Sequence, residues 1–151
     1  MKRDKIYLDT SVISAYFDSN LKQRQEDTKR FFKDVVPKYK VYVSEITVRE
    51  LNETKEGPLR KSLLGMVRGF EVLAINDKIN LLAKKYIKDG IFSQKYFDDA
   101  LHIAVASYYK MSCLISWNFE HIVKVKTRRI VNLENKMNHF NALEIISPLE
   151  L

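Results

Sequence analysis

Apolar residues in this chain come in two spacings, and the alternation between them sets out the elements. Short runs lie at Ile6–Leu8, Val41–Val43, Glu71–Ile75, Cys113–Ile115 and Leu143–Ile146. They are dense in β-branched, aliphatic and aromatic residues, and each reads as a strand. Between them the apolar residues recur at helical spacing. Thr10 or Ser11 can cap a helix through Val12, Ile13 and Phe17, broken at Asp18–Asn20. Arg24–Val36 gathers Phe31, Phe32, Val35 and Val36 on one side, and Pro37 stops it. Ser44 or Glu45 opens a helix through Ile46, Val48 and Leu51. Gly57-Pro58 is a break, and Leu59–Val67 is helical again. Asp77 caps a helix carrying Ile79, Leu82, Ala83, Tyr86 and Ile87, closed by Gly90. Phe97–Tyr109 is a helix with small residues at Ala100, Ala104 and Ala106, and Lys124–Met137 is a basic one.

Strands alternating with helices imply parallel pairing through right-handed helical crossovers. The expected architecture is α/β: a three-layer α/β/α sandwich on a mainly parallel central sheet of about five strands. No repeat, linker or composition shift interrupts it, so residues 1–151 read as a single domain. Strand order does not follow from periodicity.

The chain's 151 residues suffice for a sizeable core without cross-links, and 46% hydrophobic with only 4 Gly and 3 Pro excludes disordered and collagen-like classes. A single Cys excludes an internal disulfide and points to a reducing cytoplasm. The start, Met1 to Lys5, leads into Ile6 with no apolar signal core, so secretion is not expected. The longest stretch free of charged side chains is Ala100–Tyr109, ten residues, too short to span a membrane. The formal charge is +7, which favours an anionic partner, nucleic acid first.

Open parallel sheets collect ligands beyond the carboxyl ends of their strands. Asp9 follows the first strand. Ser44 and Glu45 follow the second, with Glu50 and Glu53 further along the helix. Ser116 and Asn118 follow the fourth, and Asp98 and Asp99 open the helix leading into it. Asp98 and Asp99 stand about 100° apart on that helix, so one of them faces a shared site. No glycine-rich phosphate loop and no zinc-spaced Cys/His cluster is present. Carboxylates gathered at strand ends repel one another, and a hard divalent cation relieves that repulsion. Such a site suits metal-assisted phosphodiester hydrolysis. Asp9 has a plainer reading as a helix N-cap.

These residues carry a resemblance. IYLDTSVISAYF, VSEITVREL, FDDALHIAVA and LISWNFEHI stand in order across most of the chain. Together they resemble PIN-domain proteins, most closely the toxin ribonucleases of VapBC toxin–antitoxin modules. The closing EIISPLEL is similar to that family's last strand followed by Pro. The resemblance implies strand order 3-2-1-4-5. It also implies a Mg²⁺- or Mn²⁺-dependent endoribonuclease with Asp9, Glu50 and Asp99 as metal ligands. Asn118 joins them as a catalytic residue, and Thr10, Ser11 and Ser116 support by hydrogen bonding. A toxin role, an antitoxin partner, an RNA substrate and a homodimer are implied with it. The fourth element departs from the family: Ser116 stands where Thr is usual, and Asn118 replaces an acid. Three carboxylates then suit one ion better than a pair, and Glu120, His121 and Asp98 are neighbouring candidates for the site.

Two basic runs are expected to meet phosphate or solvent: Lys22, Arg24, Lys29 and Arg30, and then Lys124, Lys126, Arg128 and Arg129. The second lies just after the fourth element and is the assigned nucleic-acid contact. Trp117 reads as a partly buried ring, with base stacking as the functional alternative. Cys113 reads as core, and His102 as core or as support for the site. Two other classes are weighed. A haloacid-dehalogenase-like phosphatase also places an Asp after its first strand, but wants a second Asp two residues on, where Ser11 stands. A non-catalytic PIN-like scaffold would bind RNA or protein without cutting.

Overall fold

In the computed structural model, which describes residues 3–90 and 92–151, a five-stranded sheet runs through the middle of the chain. Met1 and Lys2 of the amino-terminal run lie outside the described residues. The strands are β1 Lys5–Leu8, β2 Lys40–Ser44, β3 Glu71–Leu73, β4 Cys113–Ile115 and β5 Glu144–Ile146. Every pairing is parallel and the order is β3-β2-β1-β4-β5. The helices are α1 Thr10–Ala15, α2 Lys22–Arg30, α3 Glu45–Asn52, α4 Gly57–Val67, α5 Asp77–Lys88, α6 Phe97–Tyr108 and α7 Val125–Met137.

Both faces of the sheet are covered, which is why the strands are unbroken apolar runs rather than alternating ones. The pleat still sorts the side chains. Ile6, Leu8, Val43 and Ile115 point into a core shared with Val12, Ile13, Phe31, Leu63 and Val67 of the amino-terminal half. Tyr7, Tyr42, Leu114 and Ile145 point the other way, against α5, α6 and α7. The small residues of α6 let it lie close to the sheet: Ala100, Ala104 and Ala106 are fully buried. Among the described residues, no helix is long and apolar enough to cross a membrane.

The first helix, α1, has Asp9 and not Thr10 or Ser11 at its N-cap and ends at Ala15, short of Phe17. Four further boundaries differ from the sequence reading, each for a local reason. The Arg24–Val36 helix is two pieces: α2 begins at Lys22 and ends at Arg30, and a wider turn covers Phe31–Val35. Pro37 accounts for the loosening, because its ring excludes regular helix over the preceding turn. β3 stops at Leu73 rather than Ile75, because its partner β2 ends at Ser44 and α3 begins. Beyond it, the Ile75 N–H donates instead to Glu45 Oε1 at 2.8 Å. The cap of α5 is Asn76, whose side chain accepts from the Ile79 N–H, and Asp77 is the first helical residue. Gly57 and Pro58 form the first turn of α4, a position where proline's missing N–H costs nothing. Gly90 does close α5, with φ +83°, the left-handed conformation a helix end favours.

Candidate active site

The chain leaves the central strand β1 toward β2 and β3, then crosses back to β4 and β5 on the other side. The carboxyl ends of β1 and β4 therefore flank the topological switch point, where the crevice of an open parallel sheet forms. Asp9 directly follows β1 and Ser116 directly follows β4.

Asp9 holds the N-cap position of α1 with extended backbone, yet its side chain makes no capping bond. Its Oδ2 instead accepts from Ser11 Oγ at 2.7 Å and from Ser116 Oγ at 2.8 Å. The residue is buried. A buried carboxylate carries a desolvation cost, and here capping is not what it gains in return.

Glu50 reaches the same region from α3. Thr10 Oγ1 donates to its Oε1 at 2.8 Å, and His102 Nε2 lies 2.6 Å from that oxygen. The same Nε2 is 3.4 Å from Asp9 Oδ1. His102 sits on α6 one turn after Asp99, and its ring is buried. Behind it, Nδ1 lies 2.6 Å from the Tyr7 hydroxyl, which is 2.8 Å from Ser44 Oγ. A buried polar chain thus runs Ser44–Tyr7–His102–Glu50, from one strand to its neighbour and out to the crevice.

The charges answer one another. Burial raises the Asp99 carboxyl, and the negative charges of Asp9 and Glu50 raise it further, to about 6. Burial alone would raise Glu50 as well, but the hydrogen bond and charge of His102 and the Thr10 hydroxyl bring it below its ordinary value. Burial would lower the His102 imidazole, but Tyr7, Asp9 and Glu50 outweigh it and hold the ring well above its ordinary value. Among the described residues, no three His, Cys, Asp or Glu side chains converge closely enough to hold a metal ion as they stand.

The other candidates are spread more widely. Asp98 points outward to an exposed ion pair with Arg49 at 2.6 Å. Asn118 accepts the His121 N–H on Oδ1 at 2.9 Å, and its own N–H donates to Ser116 Oγ at 2.9 Å, so it shapes the turn after β4. His121 stacks on Tyr96, ring centroids 4.0 Å apart, and Glu120 is exposed beside it. Trp117 is buried, and its indole N–H donates to Thr28 Oγ1 at 2.9 Å. Lys124 stands at the N-cap position of α7 without a side-chain capping bond, Lys126 and Arg129 are exposed, and Arg128 donates to the Ile145 carbonyl at 3.3 Å. Cys113 is half-buried in β4, where burial pushes its thiol up. Tyr7 escaped the sequence reading. Its signal was a tyrosine among aliphatic strand residues, since a buried hydroxyl must find a partner.

Several solved structures share this fold. The Mycobacterium tuberculosis toxin VapC20, described as a sarcin–ricin loop cleaving toxin, is 18% identical with a TM-score of 0.62, covering 77% of this chain and 92% of its own. VapBC-1 from nontypeable Haemophilus influenzae is 17% identical with a TM-score of 0.59, covering 96% and 98%. VapBC2 from Rickettsia felis, bound to a DNA fragment from its promoter, is 13% identical with a TM-score of 0.57, covering 95% and 98%. No curated protein matches the chain by sequence. The model of the PIN domain matches residues 6–121, a span from β1 through the turn after β4 that contains Asp9, Glu50, Asp99 and Ser116, and the chain belongs to the PIN-domain family.

Proposed function

We propose that this protein is a Mg²⁺- or Mn²⁺-dependent endoribonuclease, the toxin of a VapBC-type module, acting in the cytoplasm as a homodimer restrained by an antitoxin. The observation that carries the reading is the meeting of Asp9, Glu50 and the field of Asp99 at the β1/β4 switch point of a protein with net charge +7. An acidic pocket on a basic molecule suits a polyanion drawn in by the surface and cut at a cation-filled site. The toxin–antitoxin structures among the neighbours support the partner.

The donor set fits a hard divalent cation: oxygen-bearing carboxylates, with the Asp99 carboxyl raised by burial and then by its negative neighbours Asp9 and Glu50. Asp9, Glu50 and Asp99 would hold the ion. Bound there, it would polarise a phosphoryl oxygen and acidify an attacking water. The chain's own residues prepare that site. Ser11 and Ser116 fix the Asp9 carboxylate through Oδ2. Thr10 and His102 fix Glu50 through Oε1. Asn118 holds the turn that carries Ser116 against Asp9.

Asp9→Asn and Asp99→Asn test the reading. Both are near-isosteric, so both should fold, with cleavage of a structured RNA by the wild type lost in each variant and in EDTA. Cleavage that persists in the variants or in EDTA rejects it. A second reading, a scaffold that binds RNA or protein without cutting, draws on His102 lying between Asp9 and Glu50. It requires RNA binding of equal strength with and without Mg²⁺, and no cleavage.

A further inference from the structure

Beside Asp9 the crevice continues into a hollow of about 320 Å³, lined by Ser11, Leu21, Arg24, Trp117 and Asn118 among others. Ser11 is also the donor to Asp9, so one side chain separates the hollow from that carboxylate. Trp117 is held by Thr28 and is buried, which makes its ring a floor rather than a free stacking face. Phe119, two residues on, is 48% exposed, and its ring centroid is 6.1 Å from that of Trp117. The guanidinium of Arg24 lies against both rings, its central carbon 5.1 Å from the Trp117 ring centroid and 6.0 Å from that of Phe119. Asp27, the acid one turn along α2, is engaged by Arg30 at 3.6 Å and by Gln23 at 3.1 Å. Asp18, which also lines the hollow, accepts the Asn20 N–H on Oδ1 at 3.0 Å, and among the described residues neither acid pairs with Arg24.

An exposed aromatic ring beside an arginine pinned on a second ring has the chemistry that single-stranded nucleic acid uses: a π-face for a base and a cation for the neighbouring phosphate. We infer that Phe119 and Arg24 form a subsite for one unpaired nucleobase of the substrate strand, flanking the phosphate that is cut at Asp9. The inference rests on the nuclease reading and adds where the strand lies. It also requires the RNA to be unpaired next to the cut, because a base stacked in a duplex cannot reach Phe119. Stacking is tolerant of base identity, so the subsite selects an open strand rather than a sequence.

The test is fluorescence anisotropy with a short single-stranded RNA in EDTA, beside an abasic strand of the same length and charge. Phe119 is at the surface, so its variants should fold. Phe119→Ala should weaken binding of the base-bearing strand about tenfold, an ordinary loss for one stacked base, and leave the abasic strand unchanged. Phe119→Trp should restore the loss. Arg24→Gln should weaken both strands. Equal affinity of Phe119→Ala and wild type for the base-bearing strand overturns the subsite, as does an equal loss on both strands. It is also overturned if Phe119→Ala instead changes the elution volume, or the affinity for a protein partner, while RNA affinity stands. If the wild type binds neither strand in EDTA and also fails to cleave RNA with Mg²⁺, the nuclease reading fails together with the subsite, whereas cleavage with Mg²⁺ confines the failure to the subsite. If it binds RNA indifferently to Phe119, only the subsite fails.

Discussion

His102 Nε2 stands 2.6 Å from Glu50 Oε1, and the two residues reach each other from helices on different parts of the chain, α6 and α3. The imidazole is buried and is held from behind by Tyr7. The contact therefore fixes the Glu50 carboxylate at the crevice and ties α3 to α6. His102→Leu deletes it and leaves the Tyr7 hydroxyl short of a partner. The expected cost is about 2–3 kcal/mol, or roughly 6–10 °C in Tm for a domain of this size. Thermal unfolding of the two proteins at one pH checks it. A Tm within a degree of wild type would mean that the pair contributes nothing to stability.

The same cluster gives the metal-free protein a pH dependence of defined sign. Asp99 titrates near 3.8 when unfolded and about 6 when folded. Between those values the unfolded chain binds fewer protons, so stability falls as pH rises through the window. His102 is raised above its ordinary 6.5, so its stabilisation is complete below that value and is lost as pH climbs through the raised one. Glu50 is lowered, and its contribution is lost only as pH falls below its ordinary 4.5. The Tm should therefore be highest in mild acid and decline toward neutrality. Asp99→Asn should flatten the fall between pH 4 and 6 and stabilise the metal-free protein at pH 7, by about 1 kcal/mol once solvent screening is allowed for. An identical pH–Tm curve for that variant would remove Asp99 from the cluster.

The fold was legible because buried parallel strands are short apolar runs, and the runs ending at Leu8, Val43 and Ile115 sit next to their polar residues in the chain. Asp9 and Ser116 were legible for the same reason, since each directly follows a strand. What the sequence withheld was contact across the sheet. Nothing in the spacing of Tyr7, Ser44, Glu50 and His102 says that they form one chain of hydrogen bonds. That depends on β2 lying beside β1 and on α6 crossing over both. The stacking ring was not legible for a related reason. Trp117 is the ring the sequence offers beside Asn118, but Thr28, from a helix far away in sequence, pulls it inward, and Phe119 is left outside.

Trp117 is a prediction in its own right. Its indole N–H is buried, and the Thr28 hydroxyl accepts it while donating to the Arg24 carbonyl at 2.6 Å. Thr28→Val keeps the shape and removes the acceptor. Leaving a buried N–H unpaired should cost about 1–3 kcal/mol. As the chain's single tryptophan, Trp117 also reports its own environment. Its emission should be blue-shifted in the native protein and move red as urea unfolds it, with the midpoint lowered in Thr28→Val. A midpoint equal to wild type would mean that the bond has no net worth.

The basic run on α7 divides into groups that face solvent and one that holds the fold. Lys126 and Arg129 are exposed, whereas Arg128 is half-buried and donates to the Ile145 carbonyl of the edge strand β5. Each exposed cation that meets a phosphate releases a counterion on binding, so its loss lowers the salt dependence of affinity by a fixed step. Lys126→Ala and Arg129→Ala should each weaken RNA binding uniformly across sequences, reduce the slope of log affinity against log salt by about one, and leave Tm unchanged. Arg128→Ala should do the reverse: lower the Tm by a few degrees, through the lost bond to Ile145 and lost packing of its aliphatic stem, with a smaller change in slope. Binding titrations of the three variants over a range of salt, with melts alongside, separate the two behaviours. If all three leave the slope untouched, α7 does not lie along the nucleic acid, and the strand follows the Arg24 side of the crevice instead.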